Sequence, residues 1–326
     1  MKELIDPTVF WTVAASLAAT LAGNVSEATK ERRFRTIFGV SAQTCVRLWN
    51  LCVPHLPSSA SPVHLLWTLY FLKQYGLEEV NSAFAKSDEK TFRKWCWIMV
   101  NALAELDLVR NIACCTILTM SCSLRFCAVS RRLFCLFYFI SFLCLSMQQI
   151  HWENRYIGDN GSQCLVSVDG TDYAIREPST FSPRWFSHKM NGPGVRYEIA
   201  ICIQTGEPVW VNGPFPCGSW SDIRIARNAL VDALEPGEYY LADGGYRDGN
   251  QWSVTPTGQH HFSDRQKSAV RARHETYNKR LKDWGALRNK YRHNLETHSQ
   301  IFRAIANIIQ VTIVNGEPLF QVEDHH

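Results

Sequence analysis

Apolar residues recur at helical spacing through the first third of the chain and give way to short continuous runs in its second half. After Pro62, residues Leu65, Leu66, Leu69 and Leu72 follow the spacing of one helix face, and Gly76 marks a stop. A second short helix is predicted from Leu77 through Val80 to Phe84. A third starts at Asp88, whose carboxylate suits an N-cap, and runs through Phe92, Trp95 and Met99. The Ala85–Ser87 turn between these two predicts a helix-turn-helix, with Lys90, Arg93 and Lys94 near the start of the second helix, where a recognition helix meets the major groove. A helical bundle with a solvated basic face has the same pattern. Phe10–Ala22 is apolar and Ala-rich, but Lys2, Glu3 and Asp6 precede it where a signal peptide would have positive charge, so it reads as a buried helix. Residues 1–109 therefore form one helical region.

From Gln163 the period changes. Cys164–Val168, Tyr197–Ile203 and Pro208–Val211 read as strands, with turn signals at Thr205-Gly206 and Asn212-Gly213, and together they predict an antiparallel meander. A helix from Ser221 or Asp222 to Leu234 is closed by Pro236-Gly237. A strand, Tyr239–Ala242, runs into Asp243-Gly244-Gly245, and two helices, about Asp264–Trp284 and Glu296–Ile309, complete the order. Three strands, helix, strand, helix, helix is an α/β arrangement of a mixed sheet flanked by helices, close to the RNase H-like order. It spans residues 150–315, with 316–326 as a tail.

Residues 110–149 fit neither region. Leu133–Met147 is apolar over fifteen residues, shorter than the roughly 17–25 a bilayer-spanning helix needs, so a membrane anchor is disfavoured. The Phe, Leu, Cys and Ser bias suits pyrimidine-rich codons. Val109-Arg110 and Gln148-Gln149 are compatible with donor-like and acceptor-like splice junctions, so the segment reads as a translated intron inserted between Leu108 and Ile150.

The apolar fraction, 46% of 326 residues, supports a sizeable core, and a net charge of +4 excludes little. Its distribution is more telling: between Arg265 and Arg292 ten Lys or Arg face two acids, Glu275 and Asp283, the footprint of a phosphate-rich partner. Twelve cysteines are many, yet no CxxC occurs and no histidines show paired ligand spacing, so free thiols are expected and a structural zinc site is not. His260-His261 and His325-His326 read as structural or disordered.

Two acids stand where an apolar run meets glycine: Asp169 before Gly170, and Asp243 before Gly244-Gly245. Glycine there lets a ligand or backbone approach a carboxylate held on a strand end. Glu275 lies on the basic helix with Arg271, Asn278 and Lys282 on its face. Three acids on three elements suit divalent cations and phosphate, while solvated turn residues and a surface Glu explain the same pattern. Asp222 suits an N-cap as well as a ligand, and Asp172 and Asp248 read as turn or surface residues.

Several stretches in order sharpen this: CLVSVDGTDYAI from Cys164, FSPRWFSHKMNGPGVRYEIAICIQTGEPVWVNGP from Phe181, CGSWSDIRIAR from Cys217, EYYLADGGYRDG from Glu238 and RARHETYNKRLKDWGALRNKYRH from Arg271. Over residues 163 to about 312 the chain resembles the PIF/Harbinger-type transposase-derived nucleases of the DDE superfamily, and HLLWTLYFLKQYGLEEVNSAFAKSDEKTFRKWCW resembles the helical segment preceding such domains. The resemblance implies an RNase H-like catalytic domain in which Asp169, Asp243 and Glu275 are the catalytic triad and hold two divalent metal ions, Mg²⁺ or Mn²⁺. It implies hydrolysis of a phosphodiester at a transposon end, with strand transfer by the freed 3′-hydroxyl. One ion would activate the nucleophile and the other would stabilise the leaving oxygen. Arg184, His188, Lys189, Arg196, Arg271, Arg273 and Lys282 are then candidate phosphate contacts. A Myb-like DNA-binding partner protein, a nuclear location and self-association belong to the same expectation; Lys30–Arg35 is a weak basic signal for the nucleus. The alternative is a catalytically inactive, domesticated or decayed DNA-binding protein.

Overall fold

The computed structural model describes residues 5–23, 25–106, 152–157, 163–178, 182–249, 251–255 and 264–322; the segment read as a translated intron lies outside them. Six helices come first: α1 (Pro7–Leu17), α2 (Glu27–Phe38), α3 (Ala42–Cys52), α4 (Pro62–Gln74), α5 (Glu78–Ala85) and α6 (Glu89–Ala104). Side-chain oxygens of Asp6, Ser26, Ser41 and Asp88 accept from first-turn amides of α1, α2, α3 and α6. The buried Ser41 cap is worth about 1 kcal/mol. Lys86, in a left-handed conformation, ends α5 and lets α6 start three residues later, at Glu89. The predicted two-helix turn is therefore present as geometry. The basic stretch Lys30–Arg35 is part of α2, with Phe34 in the core and Arg35 paired to Glu31 and Glu317.

The strands are β1 (Cys164–Ala174), β2 (Phe186–Ser187), β3 (Gly192–Cys202), β4 (Pro208–Pro216), β5 (Tyr239–Ala242) and β6 (Ser253–Val254). β1 pairs antiparallel with β3, and β3 with β4, while β5 and β6 add parallel on the other side of β1. Three antiparallel strands extended by parallel ones is the RNase H-like sheet. Strands β1, β3 and β4 are longer than predicted, because polar residues such as Asp172 and Arg196 continue the ladder past the apolar runs. Asp169 consequently sits in the interior of β1 and not at its end. Helix α7 follows as one run, Asp222–Ile225, a π turn Ala226–Leu230 and Val231–Ala233. The chain continues through α8 (Asp264–Lys282), α9 (Gly285–Arg288) and α10 (His298–Val314).

Side-chain alternation along β3 divides the interior. Tyr197, Ile199 and Ile201 join the core that includes α1–α6, α8 and α10, whereas Ala200, Cys202 and Trp210 pack with Ala226 and Leu230 of α7. The boundary at residue 109 thus divides sequence stretches, not cores. α6 lies along α10, where Asn307 Nδ2 donates to the carbonyls of Leu103 and Leu106 at the end of α6. Gly285 lets α9 meet α4: a Cβ there would stand 2.6 Å from the carbonyl oxygen of Lys73. Gly285→Ala is expected to lower stability by about 1–3 kcal/mol, read as a lower midpoint in denaturant unfolding. An unchanged midpoint would mean the α4–α9 contact is slack.

The six described cysteines are buried thiols that form no disulfide with one another. No helix among the described residues is long and apolar enough to cross a membrane.

Candidate active site

Alternation along β1 sets the first carboxylate. Asp169 projects toward α8, on the same face as Ser167, whose Oγ meets Nδ1 of His274 at 3.1 Å. The next residue, Gly170, faces α7. Asp169 Oδ2 accepts from Asn278 Nδ2 at 2.8 Å, one turn along α8 from the exposed Glu275. Asp243 follows β5 directly and caps the short turn Gly244–Tyr246, its Oδ1 accepting from the Gly245 amide at 2.8 Å. Parallel pairing of β1 with β5, which sets Val168 beside Ala242, brings the two aspartates to neighbouring positions.

Asp169, Asp243 and Glu275 line one cleft of about 390 Å³, with Lys189, Asn278, Lys282 and Arg288 on its walls. A smaller adjoining pocket adds Arg271 and His274 to the same three acids. Burial pushes the Asp169 carboxyl up to about 7; Lys189 opposes the shift, and the charges of Glu275, Asp243 and Asp222 add to it. Burial likewise holds His274 down to about 3, so it is neutral beside Ser167.

The donor set suits hard divalent cations. It offers carboxylate oxygens from three elements, and the buried Oδ1 of Asn278, next to Asp169, has no partner. Among the described residues no three His, Cys, Asp or Glu lie close enough together to hold an ion as the side chains stand. Asp169 and Asp243 each turn one carboxylate oxygen onto a local donor, Asn278 and the Gly245 amide.

The phosphate candidates separate clearly. Lys189, Lys282 and Arg271 line the two pockets. His188 is exposed beside Lys189, its ring edge-on to Phe186, and Arg184 is exposed over Trp185. Arg273 does not reach solvent: it is 1% exposed, and its guanidinium donates to the carbonyls of Cys202 and Ile203, closing the end of β3. Arg196 is not available either, because Nε and Nη2 chelate Asp172 at 2.6 and 3.0 Å. Both were expected at the surface, but each is the interior partner of a buried acceptor. On α6, Lys90, Arg93 and Lys94 are exposed and line neither pocket; both Glu78 carboxylate oxygens take Arg93 at 2.6 Å, and Lys94 lies over Trp95.

Two acids carry more than the sequence indicated. Asp172 is no turn residue: it is 5% exposed in β1, holding Arg196 and Ser187. Burial disfavours its charge, but the bonds from Arg196 and Ser187 outweigh this and hold its carboxyl below the usual range. The signal was a cross-strand pair of opposite charges, since Asp172 and Arg196 are in direct register. Asp222 follows the N-cap, Ser221, and its carboxylate wedges between the backbones that carry the two aspartates. A Cβ on Gly170 would stand 2.2 Å from Asp222 Oδ1, and one on Gly245 would stand 2.9 Å from Oδ2. Arg196 Nη1 holds Oδ1 at 3.0 Å, and Lys189 Nζ lies 4.0 Å from Oδ2. Asp248 is the turn residue expected, accepting from the amides of Gln251, Trp252 and Ser253.

Residues 168–313, from the middle of β1 to the last turn of α10, match the family model described as DDE superfamily endonuclease. Searches of curated proteins and of solved structures return no match. The matched span holds most of the RNase H-like sheet and the acid-lined cleft, so over these residues the chain is similar to the DDE superfamily endonucleases.

Proposed function

We propose that the chain is a metal-dependent DNA endonuclease of the transposase type, with Asp169, Asp243 and Glu275 as its catalytic carboxylates. The observation that carries this is the convergence of β1, the end of β5 and α8 on one acid-lined cleft walled by Lys189, Lys282 and Arg288. Two divalent cations, Mg²⁺ or Mn²⁺, when bound by these acids, would supply Lewis-acid activation for an in-line displacement at phosphorus. The protein's own groups do the rest. Lys189, Lys282, Arg288 and Arg271 hold the phosphodiester by charge, Asn278 fixes the rotamer of Asp169, and Gly244 leaves the backbone open beside Asp243. Asp222, tied to Arg196, keeps β1 and the Asp243 turn in register. Hydrolysis at transposon ends with strand transfer, a PIF/Harbinger-type origin, a Myb-like partner, self-association and a nuclear location extend the same reading. The test is Mg²⁺- or Mn²⁺-dependent cleavage of labelled DNA by the folded chain. Binding without cutting, with element ends and a partner supplied, would leave a DNA-binding protein with a relic site.

The raised Asp169 carboxyl gives a pH signature. A cation needs the ionised form, so below about 7 its binding must displace a proton and weakens as pH falls. Mn²⁺ affinity measured by titration calorimetry is expected to rise up to tenfold per pH unit below about 7 and to level off above it. A flat profile would remove Asp169 from the ligand set.

A further inference from the structure

Resting on the nuclease reading, we infer that the groove between α2 and α4 is a second DNA-binding surface, which seats the duplex as it leaves the acid cleft. The groove encloses about 700 Å³ and is lined by Glu31, Arg32, Arg35, Thr36, Gly39 and Lys73. Arg35 is already paired with Glu31 and Glu317, so the charge offered to a ligand comes from Arg32, which is exposed, and from Lys73.

What connects this groove to the cleft is the turn between α8 and α9. Lys282 and Arg288, on either side of that turn, belong to the cleft wall. Between them, the Asp283 carbonyl accepts from Lys73 Nζ at 2.8 Å, and Lys73 Nζ lies 5.7 Å from the centre of the Trp284 ring. Trp284 packs against Gly39 so closely that a Cβ there would stand 2.6 Å from its ring. Burial is the main reason the Lys73 ammonium titrates below its usual range; Asp283 opposes that shift and the positive charge of Arg288 adds to it, so the cations of cleft and groove feel one another. The basic wall thus runs from Lys282 and Arg288 over the Trp284 turn to Lys73 and Arg32. A polyanion longer than the cleft is the occupant whose charge matches both ends. Duplex DNA, with one charge per roughly 1.7 Å of axis, is that polyanion for a nuclease. Helices far from the catalytic acids in sequence would in this way take part in holding substrate, on a face other than the start of α6.

The test compares binding of two duplexes to the full chain with metal chelated, one of about 8 base pairs and one of about 24, each over a range of salt. Arg32 projects into solvent and touches no catalytic residue, so Arg32→Glu should fold as the native chain does. Thr36→Glu, on the same groove, is the second variant. The native chain is expected to bind the longer duplex more tightly and with a steeper salt dependence. Each variant should weaken that binding about tenfold or more, Arg32→Glu also reducing the salt slope by about one, and leave the short duplex unaffected. The surface is overturned if both variants bind the long duplex as the native chain does, or if both duplexes weaken equally. Cleavage of the short duplex once Mg²⁺ is restored, alongside either result, would leave the nuclease reading intact, whereas a native chain that binds neither duplex would sink the second surface and leave the nuclease reading to the cleavage test.

Discussion

Asp243→Asn is expected to abolish metal-dependent cleavage while leaving the fold in place. Its carboxylate caps the turn after β5 through one oxygen, and an amide oxygen can accept the same Gly245 bond. What the amide cannot supply is the negative charge that a divalent cation needs. Asp169→Asn and Glu275→Gln make the same test from β1 and α8. Loss of one member of a group that acts as a unit costs on the order of 10⁴ in rate, and a second loss adds little. Single-turnover cleavage by the three single variants and one double variant would show this. Three equal, non-additive losses support a shared site. A variant that retains cleavage would exclude its residue, and graded, additive losses would argue for remote electrostatic effects instead.

Arg196→Met is expected to be the most destabilising single change near the site. Arg196 and Asp172 are buried, with side chains 10% and 2% exposed, and the guanidinium grips both carboxylate oxygens while also holding Asp222. Removing it leaves Asp172 as a buried, uncompensated charge, a loss of about 3–5 kcal/mol. Chemical denaturation would read this directly, and adding Asp172→Asn should recover part of it, since the stranded charge is then gone. The pH dependence has a definite sign. The folded carboxyl of Asp172 lies below its ordinary value of 3.8, so its contribution is fully present above that value and is lost as pH falls below it. The native chain should therefore lose more stability than Arg196→Met on going into that acid range. A midpoint shift of under about 1 kcal/mol would mean the pair behaves like an exposed one.

Helix positions were legible in the sequence because the signals are local. Asp88 as an N-cap, the end of α4 just before Gly76, where Tyr75 takes the left-handed C-cap, and the Tyr239–Ala242 strand come from capping chemistry and apolar spacing within a few residues. Strand lengths were less legible. The apolar run Cys164–Val168 ends at Asp169, but β1 continues for six residues because its polar side chains find partners on β2, β3 and α8. Short strands such as β2 and β6, with two residues each, carry too little pattern to be read.

For the site, the sequence by itself determined the chemistry available: carboxylates beside glycines at Asp169 and Asp243, and an acid within a basic helix at Glu275. Tertiary structure alone decided which charges face the cleft. Arg271 and Arg273 are two residues apart on one helix, yet one lines a pocket and the other closes the end of β3 inside the core, because the turn of α8 over the sheet sends them to different sides. The same holds for Lys189 and Arg196, for Asp222 under Gly170, and for Lys73 meeting the Trp284 turn from a helix more than two hundred positions away. Charge and residue type are properties of position in the chain. Burial, pairing and proximity depend on contacts between segments far apart in sequence, and those exist only once the sheet and its helices have packed.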